Sequence, residues 1–470
     1  MAYKSTNPYT GKVIATFETL TDNELEVKMQ KAEKAFKTWS ATSIKERAAI
    51  VRKAAHLVQE RKEKLAALNT IETGKLFTIA SWEMNMVSDI FEYYASHAEE
   101  FLRPEKVVSG DTMAGNAIGI YQPLGIIYEI EPWNVPYFQI TRPLAAQLMA
   151  GNVVVLKHAS NVPQCAASME QLMLDAGLPE GVFQNLYVNY DQSDRIIADP
   201  RVCGITITGS TEVGRGVAAK AGQNLKKIVL ELGGSDAMIV LDDADLQTAV
   251  EGALLGRMTI SGQVCAGDKR MFVHESLFDA FKQGVKEAAG KLIAGDPMDP
   301  ATTLSPLCSA KAADKVQQQI ALAVAHGAQA EEIGPRVPAD CPTFVQPTIL
   351  THVTEDNPIF DEEIFGPVLQ MYSFSDEDEA IRLANHSQFG LGGSVYSRDA
   401  SHALRVATRI EAGAISINQP TMASPAIPFG GIKNSGYGRE MGREGIVEFT
   451  NQKFINTAAF DLTQLDLSSL

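Results

Sequence analysis

The chain is poor in cysteine, in long apolar runs and in positive charge, and each shortage excludes something. Its five cysteines (Cys165, Cys203, Cys265, Cys308, Cys341) are odd in number and scattered, with no CxxC pair. Neither a disulfide framework nor a zinc site is indicated, and a reducing compartment fits such usage. No apolar run approaches the ~20 residues of a membrane span. The opening segment MAYKSTNPYTGK has no apolar stretch of the signal-peptide kind. The cytoplasm is therefore the expected location. Lysine and arginine number 41 against 57 acidic residues, a formal net charge of −16. That balance argues against nucleic acid or an anionic membrane as partner. It also means that an anionic substrate would need a local positive anchor. No solenoid period or low-complexity tract is present.

What is present is a long chain with ample core. The 470 residues, 45% of them hydrophobic, exceed one ordinary domain and suit two or three. Asn7-Pro8 and Thr10-Gly11 punctuate a small hairpin within residues 1–20. Residues 22–70 read as helices: Ala32, Ala35, Phe36 and Trp39 repeat at helical spacing, as do Ile50, Ala54, Leu57 and Val58. Residues 105–131 read as strands. The centre then alternates, with strands at Val153–Leu156, Val182–Val188, Val202–Ile207 and Ile228–Leu232. Helices fall between them: from Pro163 to Gly177, Ser193–Ala198 and Glu212–Ala221. After Gly234 a strand at Ala237–Leu241 and a long helix at Ala244–Ile260 begin a second alternating unit that runs to about Asn418. Alternation of this kind predicts parallel sheets with helices on their faces.

Four motifs carry chemistry, and each has a plainer reading beside the functional one. Gly262-Gln263-Val264-Cys265 follows the long helix. A buried cysteine is usually an inert small hydrophobe, yet a glycine-containing turn can expose a thiol, and a thiolate attacks carbonyls. Glu231-Leu232-Gly233-Gly234 ends an apolar strand. The glutamate is either a solvated strand end or a general base whose pKa desolvation raises. Glu131-Pro132-Trp133-Asn134-Val135-Pro136 is a rigid loop. Its asparagine either bonds its own backbone or aims an amide N–H at a developing oxyanion. Thr208-Gly209-Ser210 is a strand–turn–helix with backbone donors suited to a pyrophosphate. It is not GxGxxG, so the usual dinucleotide fingerprint is absent.

Taken together and in order, these motifs closely resemble the aldehyde dehydrogenase superfamily. The set comprises Pro132–Asn134, Lys157, Thr208–Ser210, Glu231–Gly234, Gly262–Cys265, Glu362–Pro367 and Pro428–Gly431, and the resemblance spans the Asn7-Pro8 turn to about Asn456. It implies an α/β fold: a Rossmann-like dinucleotide-binding domain (1–104 and 132–232), a second α/β catalytic domain (233–428), and a small β oligomerisation element (105–131 and 429–470). It implies oxidation of an aldehyde to the free acid. Cys265 would attack the carbonyl to give a thiohemiacetal and then a thioester, Asn134 and the Cys265 N–H would form the oxyanion hole, and Glu231 would activate water. A carboxylate at Glu231 disfavours acyl transfer to coenzyme A. The cofactor would be NAD or NADP, held by Trp133, Lys157, Ser160, Gly209, Ser210, Gly233, Glu363 and Phe365. Strict NAD users often carry glutamate where this chain has Ser160, so acceptance of both is expected.

The segment Lys157-His158-Ala159-Ser160-Asn161-Val162-Pro163 is similar to a bacterial branch of succinate-semialdehyde dehydrogenases, as is Ile140-Thr141-Arg142. Arg142 stands about two helical turns beyond Asn134 and would fork a substrate carboxylate; the plainer reading pairs it with a nearby Asp or Glu. Ser424, in the Gln419–Pro428 loop expected at the substrate mouth, lies near a position where such enzymes bind carboxylate through serine. Two departures stand out. Thr259 occupies the place of a second arginine, and Ala266-Gly267 follow the nucleophile where some members have a redox cysteine. Competing readings are a broad aliphatic or aromatic aldehyde dehydrogenase, a thiol hydrolase or acyltransferase, and a non-catalytic NAD-binding relative. The hairpin before Pro132 and the C-terminal strand imply a homodimer or homotetramer.

Overall fold

The computed structural model describes residues 3–108 and 116–467. Two predominantly parallel sheets carry the chain, each with one antiparallel edge strand. The first has six strands in the order Gly436–Tyr437, Lys227–Glu231, Val202–Thr208, Ile126–Glu131, Val153–His158 and Phe183–Asn185. All neighbours are parallel except Gly436–Tyr437, which runs antiparallel to Lys227–Glu231. The second has seven: Gln329–Glu332, Thr348–Thr351, Val368–Phe374, Asp268–His274, Asp236–Val240, Gly392–Tyr396 and Ala414–Ile417. The central strands are buried on both faces, as helix-covered parallel sheets require. A separate antiparallel sheet joins Thr450–Thr457, Asn116–Pro123 and Glu105–Val108. The expected α/β architecture with a small β element is thus the observed one.

The expected domain boundaries need correction. Ile126–Glu131 is not part of the small hairpin but the strand of the six-stranded sheet that lies between Val153–His158 and Val202–Thr208. Gly436–Tyr437 likewise joins that sheet rather than the C-terminal element. Continuous strand character over 105–131 hid the break at Leu124-Gly125, where Gly125 has φ +145° and the chain passes from one sheet to the other. Parts of those expected ranges, residues 1–2, 109–115 and 468–470, lie outside the described residues. Two elements are shorter than expected. Only Phe183–Asn185 of the 182–188 segment pairs as a strand, and the long helix runs Leu246–Met258, not to Ile260.

Local chemistry explains the helices that position the site. Asp22–Trp39 and Ile44–Glu60 open with capping boxes, Thr21 with Glu24 and Ser43 with Glu46. Pro136–Ala150 and Pro163–Asp175 each begin with proline, whose fixed φ suits the first helical position, but neither has a local side-chain cap. A glutamate from elsewhere supplies it. Glu83 Oε1 accepts from the N–H groups of Tyr137 and Phe138 at 2.9 and 3.1 Å. Glu72 accepts from Gln164 and Cys165 at 3.0 and 2.9 Å. Each carboxylate satisfies orphan donors and faces the positive end of the helix dipole. Glu83 is itself neutralised by the buried Lys75 and held by Asn69 Nδ2 at 2.6 Å. All fifteen residues of Pro136–Ala150 are buried, so its polar side chains must find partners inside the protein.

Candidate active site

Open parallel sheets bind ligands beyond the carboxyl ends of their strands, where the connections diverge. Four strands of the first sheet end together there. Ile126–Glu131 leads to Trp133 and Asn134, Val153–His158 to Lys157 and Ser160, Val202–Thr208 to Gly209 and Ser210, and Lys227–Glu231 to Gly233. The parallel register sets Ile130 beside both Lys157 and Ile207, and Thr208 beside Glu231.

The residues expected to hold a dinucleotide are placed as follows. Ser210 caps the helix Thr211–Gln223, and a Cβ on Gly209 would meet nothing within 4 Å, leaving open space above the helix N-terminus. Lys157 is buried with its ammonium 5.7 Å from the Tyr190 ring centre. Desolvation lowers its pKa, and among the described residues no carboxylate pairs with it. Ser160 is half-buried, its carbonyl accepting from Lys4 N at 2.9 Å. At Gly233 a Cβ would fall 2.4 Å from Glu363 Oε2, and Glu363 Oε1 accepts from Gly234 N at 3.2 Å. Only glycine lets that carboxylate lie so close to the strand end. Phe365 packs edge-on against Trp133, ring centres 5.9 Å apart.

Across this edge a cavity of about 430 Å³ contains Cys265, Asn134 and Arg142 in its wall. The turn before Cys265 is strained: Ile260, Ser261 and Gly262 have φ of +53°, +50° and +79°, and non-glycine residues in that region cost about 1–3 kcal/mol each. Surrounding bonds hold it. Ser261 Oγ donates to the Ser305 carbonyl at 2.5 Å, Gln263 Oε1 accepts from Cys308 N at 3.0 Å, and the Gln263 carbonyl accepts from Asn134 Nδ2 at 3.0 Å. Lys269, missed in the sequence, donates to the carbonyls of Val264 and Cys265 at 2.9 and 2.5 Å and pairs with Glu363 at 3.4 Å. One ammonium therefore ties the cysteine turn to the carboxylate beside Gly234. Its signal was present: Asp268-Lys269-Arg270 opens an otherwise apolar buried strand. Burial pushes the Cys265 thiol up to about 11, while Arg142 and Lys269 pull it down.

Arg142 lies between the rings of Phe138 and Phe429, 5.2 and 5.0 Å from their centres. Its Nε faces Glu440 Oε2 at 3.2 Å, and its Nη2 donates to Gln139 Oε1 at 2.5 Å and Thr208 Oγ1 at 3.0 Å. The plainer sequence reading, a pairing with a nearby carboxylate, is thus present alongside a place in the cavity wall. Glu231 is not in that wall. It is buried next to Glu440 and Arg142, and neither carboxylate oxygen has a hydrogen-bond partner among the described residues. Desolvation first, then Glu440, raises its pKa well above the usual carboxylate range; Arg142 and Arg439 oppose this. Pro420, Thr421, Met422 and Ala423 of the Gln419–Pro428 loop line the cavity, but Ser424 stands outside the wall and its carbonyl closes a turn with Ile427. Arg257 points elsewhere, bonding the carbonyls of Val368, Ile364 and Gly262.

Asn134, at the end of a strand of the parallel sheet, lines the same cavity as Cys265, so the sheet edge and the thiol lie side by side. The chain matches the aldehyde dehydrogenase family over residues 1–455 and belongs to it. It is 44% identical over 453 residues to a succinate-semialdehyde dehydrogenase [NADP(+)] of Deinococcus radiodurans, covering 96% of this chain and 94% of that one. The structure of succinic semialdehyde dehydrogenase from Streptococcus pyogenes with NADP+ superposes with a TM-score of 0.94 at 43% identity, over 96% of this chain and 99% of that one. An NAD-dependent aldehyde dehydrogenase from Sinorhizobium meliloti gives 0.92 at 31% identity, over 97% and 91%. The protein is an NAD(P)-dependent aldehyde dehydrogenase.

Proposed function

We propose that the substrate is succinate semialdehyde or a similarly short semialdehyde, released as the free dicarboxylic acid. One observation carries this reading. Arg142 shares the cavity wall with Cys265 and Asn134, and among the described residues no acceptor meets its Nη1. A guanidinium with an unused donor is suited to a substrate carboxylate. Lys75, the other cation in the wall, has its ammonium engaged by Glu83. Relatives named as succinate-semialdehyde dehydrogenases support the same choice.

In this reading the Cys265 thiol loses its proton to solvent, its sulfur forms a bond to the aldehyde carbon as the carbonyl electron pair moves to oxygen, and Asn134 Nδ2 with the Cys265 N–H stabilises the oxyanion. The bound nicotinamide dinucleotide supplies an acceptor for the hydride that leaves that carbon. Glu231 then accepts a proton from the water that releases the acyl group. Its buried, unpaired carboxylate suits a base whose pKa is tuned upward. Trp133, Lys157, Ser160, Gly209, Ser210, Gly233, Glu363 and Phe365 hold the dinucleotide, and the neutral Ser160 admits both NAD and NADP. The protein acts in the cytoplasm as a homodimer or homotetramer. Exposed Phe454 and Ile455 on the antiparallel sheet support association through that element, and among the described residues no helix is long and apolar enough to cross a membrane.

A second reading, a broad-specificity enzyme, is favoured by the apolar side chains Ile79, Trp82, Met86, Phe138 and Leu255 in the same wall. Absorbance at 340 nm with succinate semialdehyde, hexanal and benzaldehyde separates the two. Arg142→Ala should raise KM for succinate semialdehyde at least tenfold more than for hexanal; equal changes would refute the carboxylate anchor.

A further inference from the structure

Two buried side chains, Gln139 and Asn134, connect Arg142 to the cysteine turn, and the donor at one end and the backbone carbonyl at the other fix the polarity of the links between. Arginine has donors only, so the Gln139 atom facing Arg142 Nη2 at 2.5 Å is Oε1. The other end of that amide is then Nε2, which donates to Asn134 Oδ1 at 3.3 Å. Asn134 is left with Nδ2 facing the turn, where one hydrogen goes to the Gln263 carbonyl at 3.0 Å. The second Nδ2 hydrogen is available to the cavity. The far end asks for the same polarity: the Gln263 carbonyl can only accept, so a rotated Asn134 would set two acceptors against each other and present its oxygen where an oxyanion needs a donor.

The backbone makes this chain specific. Gln139 and Arg142 are three residues apart on Pro136–Ala150 and so share a face, while Asn134 lies just before the helix begins. Gln139 is only 2% exposed and lines the cavity beside both partners. Buried amides of this kind are costly unless satisfied, and here each bond orients the next.

We propose that Gln139 is a positioning residue for the oxidation. Anchored by Arg142, it donates to Asn134 Oδ1 and, together with the Gln263 carbonyl on the other side, holds the Asn134 amide so that its N–H, not its oxygen, meets the developing oxyanion. Arg142 thus affects aldehydes that carry no carboxylate at all. The inference rests on the reading that Asn134 supplies an oxyanion donor.

The test is the single-turnover burst of NADPH with propanal, an aldehyde with no carboxylate, measured on the full-length enzyme with saturating NADP. Gln139→Met should slow the burst about ten- to hundredfold with little change in the propanal concentration at half-maximal rate. Arg142→Met should slow it comparably, and the double variant should lose no more than the worse single one. Gln139→Glu separates polarity from packing. It is nearly isosteric, but as a carboxylate it offers Asn134 a second acceptor. It should be slower than Gln139→Met at pH 8, and its rate relative to wild type should rise as pH falls and the carboxyl regains a proton to donate. A Gln139→Glu burst at or above that of Gln139→Met throughout this range overturns the proposal. So does a Gln139→Met burst within threefold of wild type in protein that melts normally. Asn134→Ala reports on the underlying reading: if it leaves the burst unchanged, the oxyanion assignment itself fails, whereas a slow Asn134→Ala beside a normal Gln139→Met removes only the relay.

Discussion

Replacing Gly262 by alanine puts one methyl carbon 2.1 Å from the Gly366 carbonyl oxygen and 2.4 Å from its carbon. Both are backbone atoms, so no side chain can swing aside. The gap falls about 1 Å short of ordinary contact, and the turn carrying Cys265 must retreat by a similar distance from the strand entry at Pro367. The residue also sits at φ +79°, where a Cβ adds about 1–2 kcal/mol of strain. Gly327 provides the control. It has φ +95° with open space around it, so Gly327→Ala carries the strain without the collision. Gly327→Ala should lose about 1–2 kcal/mol in denaturant unfolding and keep its turnover. Gly262→Ala should lose more stability and also about 10²-fold in kcat/KM, as a displacement of about 1 Å in a reacting group does. Turnover is read at 340 nm. A Gly262→Ala enzyme within threefold of wild type in kcat/KM would refute the argument that this glycine sets the thiol's position.

Other predictions follow from the charges. Because the Glu231 carboxyl is held above the ordinary range, it stays protonated at mildly acidic pH and becomes a base only as pH rises. Steady-state turnover should therefore climb with pH, and Glu231→Gln should remove that limb while leaving the first-turnover burst. The same shift opposes stability as pH rises, since the folded state must then ionise a buried acid that the unfolded chain ionises freely. Glu231→Gln should accordingly gain in melting temperature relative to wild type at higher pH, and a constant difference across pH would count against the shift. With the Cys265 thiol near 11, iodoacetamide inactivation of the enzyme without cofactor should quicken about tenfold per pH unit from 7 to 9; a plateau near 7 would contradict the burial argument. For the cofactor, kcat/KM with NAD and NADP should differ by less than about a thousandfold, ~4 kcal/mol, and a larger preference for NAD would reject Ser160 as permissive.

The sheet ends were legible because short apolar strands and their following loops are local features. Lys157, Ser210, Gly233 and Asn134 all stand where the alternation placed them. The turn at Thr259–Gly262 was not legible. Helical spacing continues through Ile260, and nothing in the sequence marks two successive non-glycine residues at positive φ, a conformation imposed by Ser305, Cys308 and Asn134 from distant segments. Gln139 was invisible for a similar reason: a lone amide among apolar residues has meaning only once its neighbours are known. The boundary at 131 failed because two strands of different sheets adjoin with only Leu124 and Gly125 between them.

The borrowed caps on Pro136–Ala150 and Pro163–Asp175 have a consequence for biosynthesis. The first helix carries Gln139 and Arg142, the second follows the strand that bears Lys157, and both begin with donors that Glu83 and Glu72 satisfy. Those glutamates belong to helices translated earlier, Phe77–Phe101 and Lys62–Thr73. As the chain leaves the ribosome, each carboxylate is therefore already outside and waiting when its helix emerges. A circular permutant beginning at residue 102 would carry residues 1–101 to the C-terminal end and reverse that order, leaving both helix starts without these caps until synthesis ends.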